Sequence, residues 1–232
     1  AFSDQEYLNK GVEIVVDLSD VDVLFGVKEV PIEQLIPNKT YFFFSHTIKK
    51  QAKNKGLLQA ILAKSIRLID YELLKNPAGE RVVAFGRWAG IVGAYTAFWM
   101  YGKKTGLFDI RRAMALKDLE GLKGELKKVV LPPIKIIVTG RGRVGKGVVE
   151  ILEILKIKEI NPQEFLLQQF EEPVFVVVSS SDYLKRKSDG GFDQTHFYAH
   201  PEDYESHFLP FAGGWGTLDS SRLLGPKSTS II

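Results

Sequence analysis

The chain of 232 residues contains no cysteine, which excludes disulfide bonds and thiolate metal ligands. Long hydrophobic runs are also missing, because no apolar stretch reaches the roughly 18 residues that a transmembrane helix needs. The net charge of +3 is small and gives no reason to expect a nucleic-acid partner. The hydrophobic fraction of 45% is typical of a globular protein without a membrane, and we expect a cytoplasmic location.

Both ends of the chain differ from those expected of a whole protein. The first residue is Ala1 rather than methionine, and the last residues follow a glycine- and serine-rich tail at 213–230. The stretch after Gly140 is shorter than a full six-stranded dinucleotide-binding fold requires. We therefore expect the chain to be incomplete at both ends, with its second domain truncated.

A glycine-rich segment at residues 134–147 is the most informative motif. A run of β-branched and apolar residues ends at three glycines spaced G-x-G-x-x-G, and a helix-compatible run follows. In this strand–turn–helix context the glycines permit a tight turn, close approach of a pyrophosphate and close packing of helix on strand. The predicted cofactor-binding residues are Gly140, Arg141, Gly142, Arg143, Val144 and Gly145.

Before this segment, strand-like and helix-like runs alternate. Such alternation is typical of parallel βα units and predicts an α/β fold. Two adjacent prolines at 132–133 interrupt a charged helical pattern over residues 111–129 and indicate a domain boundary. The predicted strands are residues 12–16, 21–27, 40–45, 66–70 and 81–85, and the predicted helices include residues 50–64 and 89–102.

The predicted architecture is two doubly wound, Rossmann-like parallel-sheet domains with a cleft between them. Residues 1–130 would form the substrate or catalytic domain, and residues 131–232 an incomplete dinucleotide-binding domain. Ligands of such folds gather at the carboxyl ends of the strands.

Three ionisable residues follow predicted strands of the first domain: Lys28, His46 and Glu72. Successive strand ends of right-handed crossovers lie on one edge of a sheet, so these side chains could converge on one small molecule. Histidine exchanges protons near neutral pH, and a neighbouring lysine and carboxylate would adjust each other's pKa values. The trio fits chemistry that makes or breaks carbon–nitrogen bonds alongside hydride transfer.

A metal site is not predicted. His196 and His200 are four residues apart and His207 follows, but acidic and aromatic neighbours and Pro201 favour a surface helix end. The expected partner is a small-molecule substrate, without nucleic acid or membrane, and homo-oligomer formation stays open.

Several motifs together resemble the lysine-forming saccharopine dehydrogenases and the lysine–2-oxoglutarate reductase module of aminoadipic semialdehyde synthases, within the alanine dehydrogenase/transhydrogenase superfamily. The resemblance runs from about residue 6 to residue 211. The motifs that carry it are FGVKEVP at 25–31, FSHTIK at 44–49, LIDYE at 68–72, RVVAFG at 81–86, RKSD at 186–189 and HPE at 200–202.

This resemblance implies NAD(P)-linked interconversion of saccharopine with lysine plus 2-oxoglutarate. His46 would serve the imine and carbinolamine steps, Lys28 would exchange protons with the substrate nitrogen, and Glu72 would tune their pKa values. Lys49 and Arg81 match residues that hold substrate carboxylates, and Phe85 matches an aromatic residue near the site.

The sequence departs from the family pattern in ways that leave alternatives open. The family's opening strand is absent, later strands of the cofactor domain are not recognisable, and Glu164 is the nearest acid beyond the second cofactor-domain strand at 157–160. NAD is slightly favoured, but Arg141 or Arg143 could instead meet the phosphate of NADP. Alanine dehydrogenase-like activity and a non-catalytic fragment or paralogue are the competing functions.

Overall fold

The computed structural model describes residues 2–213 and 229–231. Two compact units divide the chain, Ala1–Ala84 and Phe85–Ile232. The boundary between these units lies between Ala84 and Phe85, whereas the predicted domain boundary is at 130/131. The difference arises because a long helix that begins at Gly86 packs with the second unit. The functional roles assigned to the two predicted domains stay predictions, and most of the predicted tail at 213–230 lies outside the described residues.

The first unit contains a three-stranded parallel sheet with strand order β1-β2-β3. Short 3₁₀ turns lie at Ile32–Gln34, Thr47–Lys49, Ala52–Asn54 and Tyr71–Leu73. Its helices and strands are α1 (Asp4–Leu8), β1 (Val23–Lys28), β2 (Thr40–Phe44), α2 (Lys55–Ala63) and β3 (Arg67–Asp70).

One face of this sheet is covered and the other is open in the described structure. Tyr41 and Phe43 of β2 are buried against Leu57 and Ile61, which are one helical turn apart on α2. On the opposite face, Val23, Phe25 and Val27 of β1 are exposed. The alternation of inward and outward residues along the strands is what a sheet half-covered by helix requires.

Two predicted strands of this unit are wrong. Residues 12–16 are irregular and exposed, because they pair with no neighbouring strand in the described structure. Residues 81–85 form only a single antiparallel bridge, between Lys75 and Arg81. A β-branched composition favours a strand, but a strand also needs a partner for its backbone groups.

The second unit contains a four-stranded parallel sheet, order β5-β6-β4-β9, and a separate antiparallel pair of β7 and β8. The predicted helix at 111–129 is shorter, because a 3₁₀ turn at Ala113–Ala115 precedes α4. Its elements are α3 (Gly86–Thr105), α4 (Leu119–Leu126), β4 (Lys135–Thr139), α5 (Arg143–Ile154), β5 (Lys158–Glu159), α6 (Pro162–Leu167), β6 (Val174–Val178), α7 (Ser180–Tyr183), β7 (Leu184–Arg186), α8 (Gln194–Ala199), β8 (Tyr204–Ser206) and β9 (Thr229–Ile231).

Both faces of the four-stranded sheet are covered. Ile136 and Val138 of β4 pack in a cluster with residues of α3, α4 and α5, whereas Ile137 packs on the other face with Phe165 of α6. All five residues of β6 are buried, which explains its continuous run of apolar residues. The predicted α/β class with parallel sheets is confirmed.

Glycines bring α3 and α5 into unusually close contact. A Cβ on Gly90 would lie 2.0 Å from the carbonyl oxygen of Val144, and a Cβ on Gly147 would lie 2.1 Å from that of Arg87. Arg87 and Glu150 then join the two helices by a paired hydrogen bond of 2.6 and 2.8 Å. The position of α3 against the glycine-turn helix is therefore fixed by backbone contact.

None of the helices in the described ranges is both long enough and apolar enough to cross a membrane.

Candidate active site

The carboxyl ends of β2 and β3 place two loops side by side. β2 ends at Phe44 and is followed by buried Ser45 and then His46, whose φ of 57° lies in the left-handed region. β3 ends at Asp70, whose side chain accepts the backbone N–H of Glu72 at 2.8 Å. A left-handed non-glycine residue costs about 1–2 kcal/mol, so the surrounding contacts must hold His46 in this conformation.

His46 and Glu72 form the centre of the site. The Nδ1 atom of His46 lies 2.9 Å from Oε2 of Glu72, and the two side chains are 29% and 12% exposed. A carboxylate accepts a hydrogen bond only from a protonated ring nitrogen, so this contact favours the tautomer with a lone pair on Nε2. Within the described residues Nε2 makes no hydrogen bond, which leaves it available as a base.

Two cations approach the other oxygen of the same carboxylate. Lys49 Nζ lies 3.2 Å from Oε1 of Glu72, and the guanidinium of Arg81 lies 3.8 Å from it. Lys49 Nζ also lies 3.1 Å from Nδ1 of His46, a nitrogen that cannot accept from lysine while it donates to Glu72. The ion pair with Glu72 is the contact that suits both groups. Lys49 and Arg81 are 45% and 40% exposed, so both can also reach a ligand.

Glu72 is held in its ionised form. The hydrogen bond from His46 lowers the pKa of Glu72 below its ordinary value of 4.5, burial opposes this effect, and Lys49 adds to the lowering. The carboxylate therefore stays charged at neutral pH, and it can orient the imidazole and stabilise the imidazolium when Nε2 takes a proton.

Aromatic rings form one wall of this cluster. The ring of Phe44 stacks near the His46 imidazole with centroids 6.3 Å apart and meets Tyr71 edge-on at 5.3 Å. The guanidinium of Arg81 lies 5.8 Å from the centroid of the same ring. This contact positions Arg81 over an apolar surface, where its charge is screened less by water than at an open surface.

The structure brings together four of the six predicted catalytic and substrate-binding residues. Lys28 ends β1 and pairs in register with Phe44, but its side chain is exposed and makes no hydrogen bond or ion pair within residues 2–213. Phe85 immediately precedes α3 in the second unit and is 52% exposed. The roles assigned to all six residues stay predictions.

The glycine turn has the conformation that its sequence indicates. Gly140 has a φ of 89°, a region that L-residues rarely adopt, and its N–H donates to Val178 at 2.7 Å. A Cβ on Gly145 would lie 2.0 Å from the carbonyl oxygen of Gly140, so this position accepts no side chain. A Cβ on Gly142 would meet nothing within 4 Å, which leaves open space beside the turn.

The amino end of α5 fits a phosphate group. Gly142 is the N-cap, and no side-chain hydrogen bond caps the first turn of this 12-residue helix in the described structure. Its first N–H groups and the positive end of the helix dipole therefore face the open space beside Gly142. Arg141, Arg143 and half-exposed Val144 border the turn. These features match the predicted pyrophosphate-binding turn, and the binding itself stays a prediction.

Sequence reasoning missed one candidate for the acidic residue of the dinucleotide motif. Glu159 ends β5, about 20 residues after Gly140, which is the usual spacing for an acid that meets the ribose. It lay inside the predicted strand, so the search for an acid began beyond it, at Glu164; the side chain of Glu164 instead caps α6. The spacing alone could have identified Glu159.

Arg141 spans the carboxyl edge of the second sheet. Its guanidinium donates to the carbonyl of Val177 in β6 at 2.9 Å and lies 3.5 Å from Oε1 of Glu159. The contacts of Arg141 cross β6, which lies between β4 and β5, whereas the usual dinucleotide fold places its second strand next to the first. Glu159 is thus one strand further from the glycine turn than in the usual dinucleotide fold, and Arg141 of the turn contacts it.

Each of the three C-terminal histidines lies near a different carboxylate. His196 lies near Asp203, His200 near Glu202 and His207 near Glu205. The described residues include no group of three or more histidine, aspartate or glutamate side chains that could hold a metal ion.

Comparison with known proteins identifies a matching family and similar relatives. Residues 1–92 match the family described as "Alanine dehydrogenase/PNT, N-terminal domain". The alpha-aminoadipic semialdehyde synthase of Bos taurus is 36% identical over 232 aligned residues, which cover 90% of this chain and 25% of the relative. A saccharopine dehydrogenase [NAD(+), L-lysine-forming] of Yarrowia lipolytica is 26% identical, covering 69% of this chain and 48% of the relative.

A solved L-alanine dehydrogenase structure is 14% identical in sequence, and its TM-score with this chain is 0.47. The match covers 78% of this chain and 50% of the alanine dehydrogenase chain. The family match and the relatives agree on one class of similar proteins, the amino-acid dehydrogenase-like oxidoreductases. Residues 1–92 are similar to the alanine dehydrogenase/PNT N-terminal domain, and alpha-aminoadipic semialdehyde synthases and saccharopine dehydrogenases are homologues over a longer part of the chain. The chain spans about a quarter of the length of the bovine relative.

Proposed function

We propose that this chain carries the acid–base and nucleotide-binding residues of a nicotinamide-dependent oxidoreductase that acts on saccharopine. The reaction converts saccharopine, NAD(P)⁺ and water to lysine, 2-oxoglutarate, NAD(P)H and a proton. The observation that carries this proposal is the hydrogen-bonded pair of His46 and Glu72, joined by Lys49 and Arg81, at the carboxyl edge of the first sheet. The similarity to proteins named for this chemistry supports it.

His46 is the proposed general acid and base. Its Nδ1 atom is held by Glu72, so Nε2 can take a proton from water as it attacks the carbon of the substrate imine, and can return a proton to the departing amine. Lys28 is proposed to exchange protons with the substrate nitrogen from the neighbouring strand end. Glu72 stabilises the protonated imidazole, which makes it a tuning residue for this pair.

Lys49 and Arg81 are proposed to hold substrate carboxylates. Saccharopine and 2-oxoglutarate both carry more than one carboxylate, and two half-exposed cations border the acid–base pair. The fork of a guanidinium binds a carboxylate through two parallel hydrogen bonds, and the Lys49 ammonium adds a point charge. Phe85 is proposed to contact the apolar chain of the substrate.

The glycine turn is proposed to bind the nucleotide cofactor. A nicotinamide dinucleotide, when bound, supplies or accepts the hydride of the reaction. The N–H groups at the start of α5 would hold its pyrophosphate beside Gly142. Glu159 favours the ribose hydroxyls of NAD, whereas Arg141 offers a guanidinium to the phosphate of NADP. The balance between these two residues would set the cofactor preference, and NAD stays slightly favoured.

The test is oxidation of NADH and of NADPH by this chain, followed by the absorbance of the reduced nicotinamide. We expect oxidation only when lysine and 2-oxoglutarate are both present, and the faster nucleotide identifies the cofactor. Omitting either substrate provides the control. Oxidation with ammonia plus pyruvate alone would support alanine dehydrogenase activity instead, the alternative that the family match favours.

No oxidation with either substrate pair, from a chain shown to be folded, would contradict the proposed activity and favour a non-catalytic fragment. The cytoplasmic location stays a prediction, and the bovine, mouse and rat relatives are named as mitochondrial proteins.

A further inference from the structure

Two buried polar residues lie directly behind the His46–Glu72 pair. Ser45 immediately precedes His46 and is 1% exposed, and Asp70 lies two residues before Glu72 and is 7% exposed. The hydroxyl of Ser45 donates a hydrogen bond to Oδ2 of Asp70. Neither residue takes part in the proposed chemistry, yet burying a serine and a carboxylate in a small sheet is costly unless both are hydrogen-bonded.

Each of these residues also holds the loop that follows its own strand. Oδ1 of Asp70 accepts the backbone N–H of Glu72 at 2.8 Å. Oγ of Ser45 accepts the backbone N–H of Thr47 at 3.1 Å and lies 2.8 Å from the Thr47 hydroxyl. The hydrogen bond between Ser45 and Asp70 therefore joins the loop that carries His46 to the loop that carries Glu72.

The catalytic pair depends on the distance between these two loops. His46 and Glu72 come from different strands, and their 2.9 Å contact persists only while the strand ends keep their spacing. The other links to Glu72 come from Lys49 and Arg81, whose side chains are 45% and 40% exposed and adaptable. The buried bond is the more rigid connection.

We propose that Ser45 and Asp70 are positioning residues, whose hydrogen bond fixes the spacing of the two loops and so keeps His46 and Glu72 in contact. The geometric part of this proposal concerns the chain by itself. Its consequence for turnover rests on the proposed function.

Loss of the Ser45–Asp70 hydrogen bond and loss of the Asp70 charge alone should shift the pKa of Glu72 in opposite directions. Glu72 faces His46, Lys49 and Arg81, with Asp70 behind it. The hydrogen bond from His46 contributes most to the lowered pKa of Glu72, so separating the loops should raise that pKa. Removing the negative charge of Asp70 without moving the loops would instead lower it, because a nearby like charge is lost.

The test is the pKa of the Glu72 carboxyl, measured in this chain by NMR of ¹³C-labelled glutamate and assigned with Glu72→Gln. Ser45→Ala should raise this pKa, and Ser45→Thr, which keeps a hydroxyl, should leave it near the wild-type value. An unchanged pKa of Glu72 in a folded Ser45→Ala chain would overturn the proposal.

A second variant keeps the test decisive if Ser45→Ala does not fold. Asp70→Ala removes the carboxylate that accepts the Ser45 hydroxyl and the Glu72 N–H, so the link between the two loops is lost. We expect the pKa of Glu72 to rise, although a negative charge has been removed. A lowered or unchanged value would refute positioning. Asp22→Ala is the matched control, since the Asp22 side chain is 97% exposed.

Turnover gives a second, independent reading. If the chain is active, Ser45→Ala should lower kcat by about tenfold to a hundredfold, as for a misplaced catalytic group, with little change in KM for the nucleotide. The NMR measurement needs no substrate. A wild-type chain without turnover would therefore remove the proposed function alone, whereas an unchanged pKa of Glu72 would remove positioning even in an active chain.

Discussion

The carboxyl edges of the two parallel sheets differ in the groups that they present to a ligand. The first sheet builds a site from side chains: His46, Glu72, Lys49 and Arg81 are linked by hydrogen bonds and ion pairs. The predicted phosphate site of the second sheet depends instead on the absence of side chains. Gly145 has no room for a Cβ, and Gly142 faces open space. Proton transfer needs titratable groups at fixed distances, whereas a pyrophosphate needs backbone N–H groups that it can reach.

The two sheets also differ in how they are covered. Helices pack on both faces of the second sheet, and its central strand β6 is buried along its whole length. The first sheet has α2 on one face, while Phe25 on the other face is 72% exposed. The first sheet therefore has less apolar packing around its strands than the second.

The largest expected effect concerns the side-chain site. His46→Gln should lower kcat with lysine and 2-oxoglutarate by about a hundredfold to ten-thousandfold, the usual contribution of a general acid–base residue, while nucleotide affinity stays unchanged. Steady-state kinetics and nucleotide fluorescence titration measure the two quantities. His207→Gln is the matched control, because His207 is 55% exposed and pairs only with Glu205 in the described structure. Equal activity in His46→Gln and wild type would remove the site assignment.

The next effect separates two glycines of the turn. Gly145→Ala must push its Cβ against a carbonyl oxygen 2.0 Å away, so we expect a loss of stability of about 1–3 kcal/mol together with lost nucleotide binding. Gly142→Ala has open space for its Cβ and should keep its stability while weakening nucleotide binding. Urea unfolding and nucleotide titration check both. If both variants keep wild-type affinity, the turn does not bind the pyrophosphate.

A buried carboxylate of the second unit offers a contrast with Glu72. Glu125 is 5% exposed, and the backbone N–H of Arg111, followed by the side chain of Lys128, lowers its pKa to about 2. Because the folded-state pKa is below the ordinary value of 4.5, its contribution to stability is complete above that value and disappears as pH falls towards 2.

Glu125→Gln should therefore lower the free energy of unfolding at neutral pH by about 1–3 kcal/mol, since it weakens the hydrogen bonds that Arg111 and Lys128 make. The difference from wild type should shrink in acid. Urea unfolding at several pH values measures it, with Glu120→Gln, whose side chain is 78% exposed, as the control. A constant difference at all pH values would contradict the assigned ionisation.

The smallest expected effect concerns cofactor preference. Glu159→Gln removes an acid that suits ribose hydroxyls and frees Arg141 for a phosphate, so the affinity for NADP relative to NAD should rise a few-fold. Titration with both nucleotides measures the ratio. Glu164→Gln is the control, since Glu164 caps α6 rather than contacting Arg141. An unchanged ratio in Glu159→Gln would mean that this acid does not contact the ribose.

Sequence patterns identified the elements whose signal is local. The glycine spacing of residues 140–145 predicted the tight turn, and the ionisable residues after β2 and β3 predicted side chains that lie close together, as the contact of His46 with Glu72 shows. Their functional roles stay predictions. The strand predicted at residues 12–16 is wrong because a local signal was again used. Its β-branched residues favour a strand, but no partner strand lies beside them in the described structure.

Features that depend on distant parts of the chain could not be predicted. The bond between Ser45 and Asp70 joins residues of two strands, and nothing in either segment marks these side chains as buried partners. The insertion of β6 between β4 and β5 is a property of strand order, which alternating sequence patterns do not specify. The ion pair of Arg141 with Glu159 joins residues 18 positions apart, and the sequence does not indicate it either.

The most direct measurement is the detection of saccharopine by mass spectrometry after lysine, 2-oxoglutarate and reduced nucleotide are mixed with the wild-type chain or with His46→Gln. We predict that the wild type forms one saccharopine for each nucleotide oxidised, while His46→Gln binds the nucleotide and forms almost none. A wild-type chain that binds nucleotide without forming saccharopine, or a His46→Gln chain as active as the wild type, would contradict the proposal.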